Sequence, residues 1–248
     1  MVGTMVWRVL RFGRLRSTQD RALRAATKGA PEGTVVVARE QTAGRGRQER
    51  RWVSPRGGLY MSVLLRPQRK GRPESIQFLG ALAAIDGIRK VSGVACTLRW
   101  PNDVVAGGKK VGGVIAEASF MDGSLSHVAL GVGVNCNFEP RLLGGVGADS
   151  AALMGLAGAE VDIDSLVTAT LESLAELYAA WSRGEDRTID SRIRESLSTL
   201  GRRVSVKLPS GEVSGVAESF GSDGSLVVRT RRKRMVIRTE DMEWLRES

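Results

Sequence analysis

Residues 44 to 52 read Gly-Arg-Gly-Arg-Gln-Glu-Arg-Arg-Trp, and neither a core face nor an ordinary helix can be built from that order. Four arginines stand there against one glutamate. Alternating glycine makes the segment costly to order, about 1–2 kcal/mol of backbone entropy per residue. A solvated surface loop is the commoner role for arginine-rich segments, but it leaves the glycine spacing and the closing Trp52 unexplained. A loop that an anion orders accounts for both.

The remainder has the composition of a folded domain. A chain of 248 residues suits one or two domains with a proper core. Apolar residues make up 42% and charged residues 26%, with no apolar run of membrane-spanning length. The first 16 residues lack the apolar centre and cleavage site of a signal peptide. Cys96 and Cys136 lie far apart in apolar contexts, as buried free thiols would. These points predict a cytoplasmic protein that does not sit in a membrane. His127 is the only histidine, which excludes a multi-histidine metal site. It sits between Ser126 and an apolar run, so it is expected as a strand residue and not as the base of a Ser-His-Asp set.

The net charge of +10 is uneven. Arg229, Arg231, Arg232, Lys233, Arg234 and Arg238 form a basic stretch with no acid. Such a stretch suits nucleic acid, a membrane surface, anionic substrates or acidic partners. It has no interleaved aromatics, which weakens the case for base stacking.

Ser17-Thr18-Gln19-Asp20 reads as a capped helix start. Strands are expected over 34–39 and 58–66, the second stopped by Pro67, with 67–73 a polar loop. Apolar residues at helical spacing predict a helix over 74–91. A short strand at 97–100 precedes strands at 103–106 and 110–120 that flank the hairpin signal Gly107-Gly108. Asp122-Gly123 turns into a strand over 125–136. Residues 139–161 are rich in glycine and alanine and predict no element. Helices follow over 164–181 and 186–199. Beyond Gly201 the character changes to short strands at 203–208, 213–219, 226–231 and 234–238, the pattern of a compact β barrel. A domain boundary is therefore expected at 198–201.

Two further segments carry chemistry. In Arg99-Trp100-Pro101-Asn102-Asp103, proline fixes a turn from which a tryptophan, an amide and a carboxylate emerge together. The following Lys109-Lys110-Val111-Gly112-Gly113 presents a lysine beside paired glycines that let backbone approach a ligand. The asparagine and aspartate serve equally well to satisfy their own turn. In Gly131-Val132-Gly133-Val134-Asn135, alternating glycine and valine suits a central strand approached closely by something flat. It has no third glycine and no helix start, so it is not a dinucleotide fingerprint, and the chain has no Walker loop.

Taken in order, Ser17-Thr18-Gln19, Gln41 through Arg47, Trp52, Arg99 through Asp103, Lys110 through Gly113 and Gly131 through Asn135 resemble the biotin protein ligases. The resemblance spans roughly residues 7 to 246. It implies an α+β fold: a mixed, mostly antiparallel sheet with flanking helices, of the class II synthetase and biotin-lipoyl ligase type, over residues 1–198. An SH3-like β barrel over residues 199–248 completes it. It also implies the reaction. Biotin and ATP form biotinyl-5′-AMP and pyrophosphate, and the biotinyl group then passes to one lysine of a biotin carboxyl carrier protein or domain. Mg²⁺ is expected on the ATP phosphates, with no dedicated protein cage.

The same resemblance implies the site. Ser17, Thr18, Gln19 and Gln41 give polar contacts to biotin, with Arg45, Gly46, Arg47, Lys110 and Gly113. Relatives carry asparagine at the position of Gln19. Arg45, Arg47, Arg50 and Lys110 neutralise the meeting of two anions, a biotin carboxylate and the α-phosphate. Trp52, with Trp100 as a second aromatic, lies near the adenine. Asn102 and Asn135 bond nucleotide or phosphate groups. Lys110, Arg47 and Asp103 are the catalytic residues. For Asp103, orienting or deprotonating the acceptor lysine, binding Mg²⁺ and holding the turn all remain open.

The sequence departs from the family where relatives continue the loop as Arg-Gly-Arg. Gln48-Glu49-Arg50 stands there, one cation and one glycine fewer. This predicts a stiffer loop whose ligand contacts fall to Arg45, Arg47 and Arg50. Only 16 residues precede Ser17, so the expectation is a ligase without a DNA-binding regulator domain, monomeric or homodimeric. The basic stretch at 229–238 is then expected to steer acidic carrier domains. A lipoate or octanoate ligase is the alternative, and a nucleic-acid-binding module a weaker one.

Overall fold

A computed structural model describes residues 5–68 and 74–247. Most of the polar loop expected at 67–73 therefore lies outside the described residues. In chain order the first part contains β1 (Arg8–Phe12), α1 (Thr18–Thr27), β2 (Thr34–Ala38), β3 (Gln41–Arg45), β4 (Arg51–Ser54) and β5 (Leu59–Leu65). Then come α2 (Ser75–Ser92), β6 (Thr97–Arg99), β7 (Asp103–Ala106), β8 (Lys109–Met121) and β9 (Ser124–Val134). α3 (Leu153–Ala157), α4 (Ile163–Ser182) and α5 (Asp186–Ser196) lead to β10 (Arg203–Leu208), β11 (Gly211–Phe220), β12 (Leu226–Arg229), β13 (Arg234–Ile237) and β14 (Trp244–Glu247).

Seven strands make one sheet in the order β1-β2-β5-β9-β8-β7-β6. Only β1 and β2 run parallel, and every other pair is antiparallel. This is the mixed, mostly antiparallel sheet expected. The two-residue period of a strand sends alternate side chains to opposite faces. Val35, Val37, Leu59, Met61, Val63, Leu65, Val128, Leu130, Val132 and Val134 meet α2 and α4 in the main core. Val36 and Ala129 face the other way, toward Ala22 of α1. α2 buries Ile76, Leu79, Leu82 and Ile88 completely, the spacing read from the sequence. Gly107 and Gly108 turn β7 into β8 with φ of 56° and 78°, a left-handed pair that suits glycine.

The second sheet, in the order β13-β12-β11-β10-β14, is antiparallel throughout. Its interior residues Val206, Ala217, Phe220, Leu226 and Ile237 belong to the same continuous core as the large sheet. Phe78 of α2 and Phe220 meet edge to face with centroids 5.1 Å apart. Trp100, 1% exposed, donates its indole N–H to the Gly224 carbonyl at 2.9 Å. Its backbone N–H is taken by Thr199 Oγ1, also at 2.9 Å.

Differences from the sequence reading have local causes. The helix over 186–199 ends at Ser196, because Leu197 bridges to Leu98 and the Ser198 N–H goes to the Leu98 carbonyl. The strand over 226–231 stops at Arg229, where Thr230 and Lys233 close a turn. β1 and β14 were not expected. Their charged residues hide any alternation, and pairing with β2 and β10 decides them. Arg229 and Arg234 of the basic stretch flank Glu218 on β11, while Arg231, Arg232 and Lys233 are exposed at the turn. Both cysteines are free, and burial pushes Cys96 up to about 11 and Cys136 up to about 12. His127 lies buried on β9 against Ser126, its pKa lowered by burial and by Arg66. No described helix is long and apolar enough to cross a membrane.

Trp100 fills the seam between the two sheets, so Trp100→Ala should lower unfolding stability by about 3–5 kcal/mol. Trp100→Phe, which removes mainly the bond to Gly224, should cost about 1 kcal/mol. Urea unfolding of the two variants checks both values.

Candidate active site

The arginine-rich segment is a hairpin and not an open loop. β3 and β4 pair, with Gly44 opposite Trp52 and Arg45 opposite Arg51, and a 3-10 turn over Arg47–Glu49 forms the tip. Under this hairpin lies a cavity of about 290 Å³. Every residue singled out from the sequence lines it: Ser17, Thr18, Gln19, Gln41, Arg45, Gly46, Arg47, Arg50, Trp52, Asn102, Asp103, Lys110, Gly113 and Asn135.

The floor is polar and buried. Ser17 caps α1 by accepting the Asp20 N–H at 3.3 Å, the cap predicted for it. Gln41 Oε1 accepts the Thr18 N–H at 2.8 Å, and Gln41 Nε2 donates to Ser54 Oγ at 2.8 Å. Ser62, fully buried on β5, lies 3.0 Å from Thr18 Oγ1 and 2.9 Å from Gln19 Oε1. Gln19 Nε2 donates to the Ala129 carbonyl of β9 at 2.9 Å. Hydroxyls and amides of this kind keep donor or acceptor capacity beyond one bond.

The wall is a bare strip of sheet. Gly113 of β8 and Gly133 of β9 are register partners. A Cβ at Gly133 would lie 2.7 Å from Trp52 Nε1, and one at Gly113 would lie 3.1 Å from the Trp52 ring. The flat group expected against the glycine-valine strand is thus, in part, the protein's own indole. Trp52 Nε1 is buried without a hydrogen-bond partner, and so is Asn135 Oδ1. Asn135 Nδ2 donates to the Ala151 carbonyl at 3.1 Å.

The mouth is cationic. Lys110 Nζ sits 2.5 Å from Asp103 Oδ1 and 5.3 Å from the centre of the Trp52 ring. Arg99 Nη2 holds the other Asp103 oxygen at 3.0 Å. A β-bulge aims Lys110 here: Val104 pairs with Gly112, but Val105 pairs with Lys110, so Val111 is the extra residue and turns into the core. Lys110 is also bracketed by the 149–151 segment, through Lys110 N–H to Asp149 O and Ala151 N–H to Lys110 O, both at 2.9 Å. Asn102 donates to the Val114 carbonyl at 3.0 Å, a turn-closing bond. Trp100, expected as a second aromatic near the adenine, lines the cavity while its indole N–H is committed to the second sheet.

Arg45 bridges Asp20 Oδ1 at 3.0 Å and Glu117 Oε2 at 2.7 Å. Burial alone would lower its pKa; the two carboxylates outweigh that and raise it. Arg47 is lowered by burial, with Arg50 adding repulsion and Asp103 opposing both. At the hairpin tip Arg47 Nη2 reaches the Thr239 carbonyl, and Arg50 Nη2 the Glu243 carbonyl, each at 2.5 Å. Gln48 Nε2 donates to the Met242 carbonyl. Gln48 and Glu49 have φ of 52° and 59°, a region that costs a residue with a side chain about 1–2 kcal/mol.

Sequence reasoning missed Ser54, Ser62, Asp20, Glu117 and the 239–245 segment. Ser62, the one serine in a largely apolar strand, was a usable signal. The 239–245 segment gave none, since only the docking of the second sheet brings it over the cavity. The assembled site has a buried polar floor, an apolar slot beside an indole, and a cluster of cations at the entrance. It suits an elongated ligand with a polar head and an anionic end.

Comparison with known proteins agrees with that shape. Residues 12–135 match the Biotin/lipoate A/B protein ligase family. The biotin--[acetyl-CoA-carboxylase] ligase of Paracoccus denitrificans is 33% identical over 236 residues, covering 91% of this chain and 96% of that one. The bifunctional ligase/repressor BirA of Bacillus subtilis is 31% identical, covering 92% of this chain and 71% of that one. The structure of biotin protein ligase from Aquifex aeolicus in complex with biotin and ATP superposes with a TM-score of 0.84 at 26% identity, over 97% of this chain and 99% of that one.

The indole seat is open to a direct test. Gly133→Ala should expel Trp52 from the sheet, moving its indole N–H resonance and costing about 1–3 kcal/mol of stability. An unmoved resonance would show that the seat does not need the bare strand.

Proposed function

Because this chain belongs to the biotin/lipoate A/B protein ligase family, we infer that it is a biotin protein ligase. It activates biotin with ATP to biotinyl-5′-AMP and passes the biotinyl group to a lysine of a carboxyl carrier protein. The observation that carries this reading is a buried hydroxyl-and-amide floor joined, within one cavity, to a mouth of arginines and lysine. A ureido ring can use the donor and acceptor capacity that remains on that floor, whereas the dithiolane head of lipoate or the plain chain of octanoate offers it nothing to bond, which favours biotin.

In the first half-reaction a biotin carboxylate oxygen attacks the α-phosphorus of ATP, and pyrophosphate departs with the bond it breaks. Two anions must meet, so positioned cations are the main requirement. Lys110 is held at the crossing of floor and mouth by Asp103. Arg47 and Arg50 stand on the hairpin above it. Arg45 is tied on both sides by carboxylates, so its role is to root the hairpin on α1 and β8. Mg²⁺ would neutralise charge on the ATP phosphates. Asp103, with each oxygen taken by a cation, offers the metal no free carboxylate, so the phosphates would hold it.

In the second half-reaction the acceptor lysine, as the free amine, attacks the acyl carbon. AMP leaves, and the amine loses its proton. Asp103 is better placed to orient Lys110 than to take that proton, because both its oxygens are engaged. Trp52 supplies the aromatic wall beside the nucleotide, and Asn135, whose Oδ1 is buried without a hydrogen-bond partner, lines the same cavity. Residues 1–198 are read as the activating unit and 199–248 as the small barrel that helps cover it. The two free cysteines support a cytoplasmic site of action.

Biotin-dependent exchange of pyrophosphate into ATP tests the reading directly. Exchange with biotin and none with lipoate or octanoate is the expected result; lipoate-dependent exchange would move the protein to the sister activity. Lys110→Ala should slow adenylation by about 100-fold or more. Arg47→Ala should weaken biotinyl-5′-AMP binding by about tenfold or more, and unchanged affinity would remove Arg47 from the site.

A further inference from the structure

We propose that Gln48 is a positioning residue, whose side-chain amide latches the hairpin tip to the second sheet and keeps the cavity covered while the arginines engage the ligand. Three contacts join the tip to carbonyls of one segment: Arg47 to Thr239, Gln48 to Met242 and Arg50 to Glu243. The segment is itself anchored. Met242 is 4% exposed, and the Glu243 N–H is taken by the Lys207 carbonyl of β10 at 2.8 Å.

The three contacts are not equivalent. Arginines gain more from a phosphate or carboxylate than from a neutral carbonyl, because ion-assisted, bidentate bonds are the stronger ones. An anionic ligand in the cavity therefore draws Arg47 and Arg50 away from Thr239 and Glu243. A neutral amide is not drawn in this way, so Gln48 alone can hold the tip on the sheet at the moment the arginines leave it. The backbone agrees with this assignment. Gln48 and Glu49 both adopt left-handed φ without being glycine. Such conformations persist where the surroundings over-determine them, and the Met242 contact is what does so at Gln48. Gln48 thus supplies the tip with a contact that does not compete for phosphate.

The latch concerns this chain's loop in any state; only its effect on the adenylate rests on the ligase reading. Two measurements on the full chain separate the two. Hydrogen exchange of the 44–52 segment, without ligand, should be about fivefold faster in Gln48→Ala, the factor that loss of one neutral hydrogen bond allows. Release of biotinyl-5′-AMP formed in place should be faster by a similar factor. Gln48→Gly, which relieves the backbone but removes the donor, should behave like Gln48→Ala. Gln48→Lys, which keeps a donor but adds a charge that an anion would draw away, should exchange like the parent without ligand and release the adenylate faster. Exchange in Gln48→Ala equal to that of the parent overturns the latch, as does Gln48→Lys exchanging like Gln48→Ala without ligand. A parent protein that forms no adenylate from biotin and ATP defeats the ligase reading instead, and the exchange measurement still decides the latch.

Discussion

The alternation of glycine and valine along β9 is the constraint from which the site follows. Val128, Leu130, Val132 and Val134 drive one face of the sheet against α2 and α4. The opposite face is left with Ala129, Gly131 and Gly133. A sheet that buries one face tightly cannot slip its register, because a shift of one residue would exchange the two faces. The packing of the core therefore fixes where the bare strip lies. Trp52 on that strip, Gln19 against Gly131 and Lys110 beside Trp52 all take their positions from it.

Charge is arranged in layers around this strip. At the root of the hairpin Arg45 is neutralised by Asp20 and Glu117. In the cavity Lys110 shares Asp103 with Arg99. At the tip Arg47 and Arg50 meet only carbonyl dipoles among the hydrogen bonds they make. Positive charge is thus most fully compensated where geometry must be fixed, and least where an anion has to be received. Burial lowers the Arg47 pKa, so its charged form is held less comfortably without a ligand than it would be in water.

Much of this was legible in the sequence, for identifiable reasons. The helix over 74–91, the hairpins at Gly107-Gly108 and Asp122-Gly123, and the short strands beyond Gly201 rest on periodicity and turn chemistry, which are local. The cavity residues came from the order of several motifs, and the structure brings all of them to one place. What escaped was non-local. β1 and β14 are set by their partners and not by their own patterns. The bulge at Val111 depends on β7, and Glu117 acquires meaning only when Arg45 lies across it. Trp100 was expected as a second aromatic near the adenine; it lines the cavity, and the bond of its indole N–H to Gly224, in the seam with the second sheet, was not legible.

The hairpin is fastened at both ends, by Arg45 at its root and by the tip's contacts to residues 239–243. Its root cannot lift without breaking two ion pairs, whereas its tip is held by hydrogen bonds to neutral groups. The weaker seam is therefore the line between the tip and the second sheet. A hairpin fastened in this way hinges instead of lifting: any opening begins along that line, with the second sheet on one side and Arg47 and Arg50 on the other.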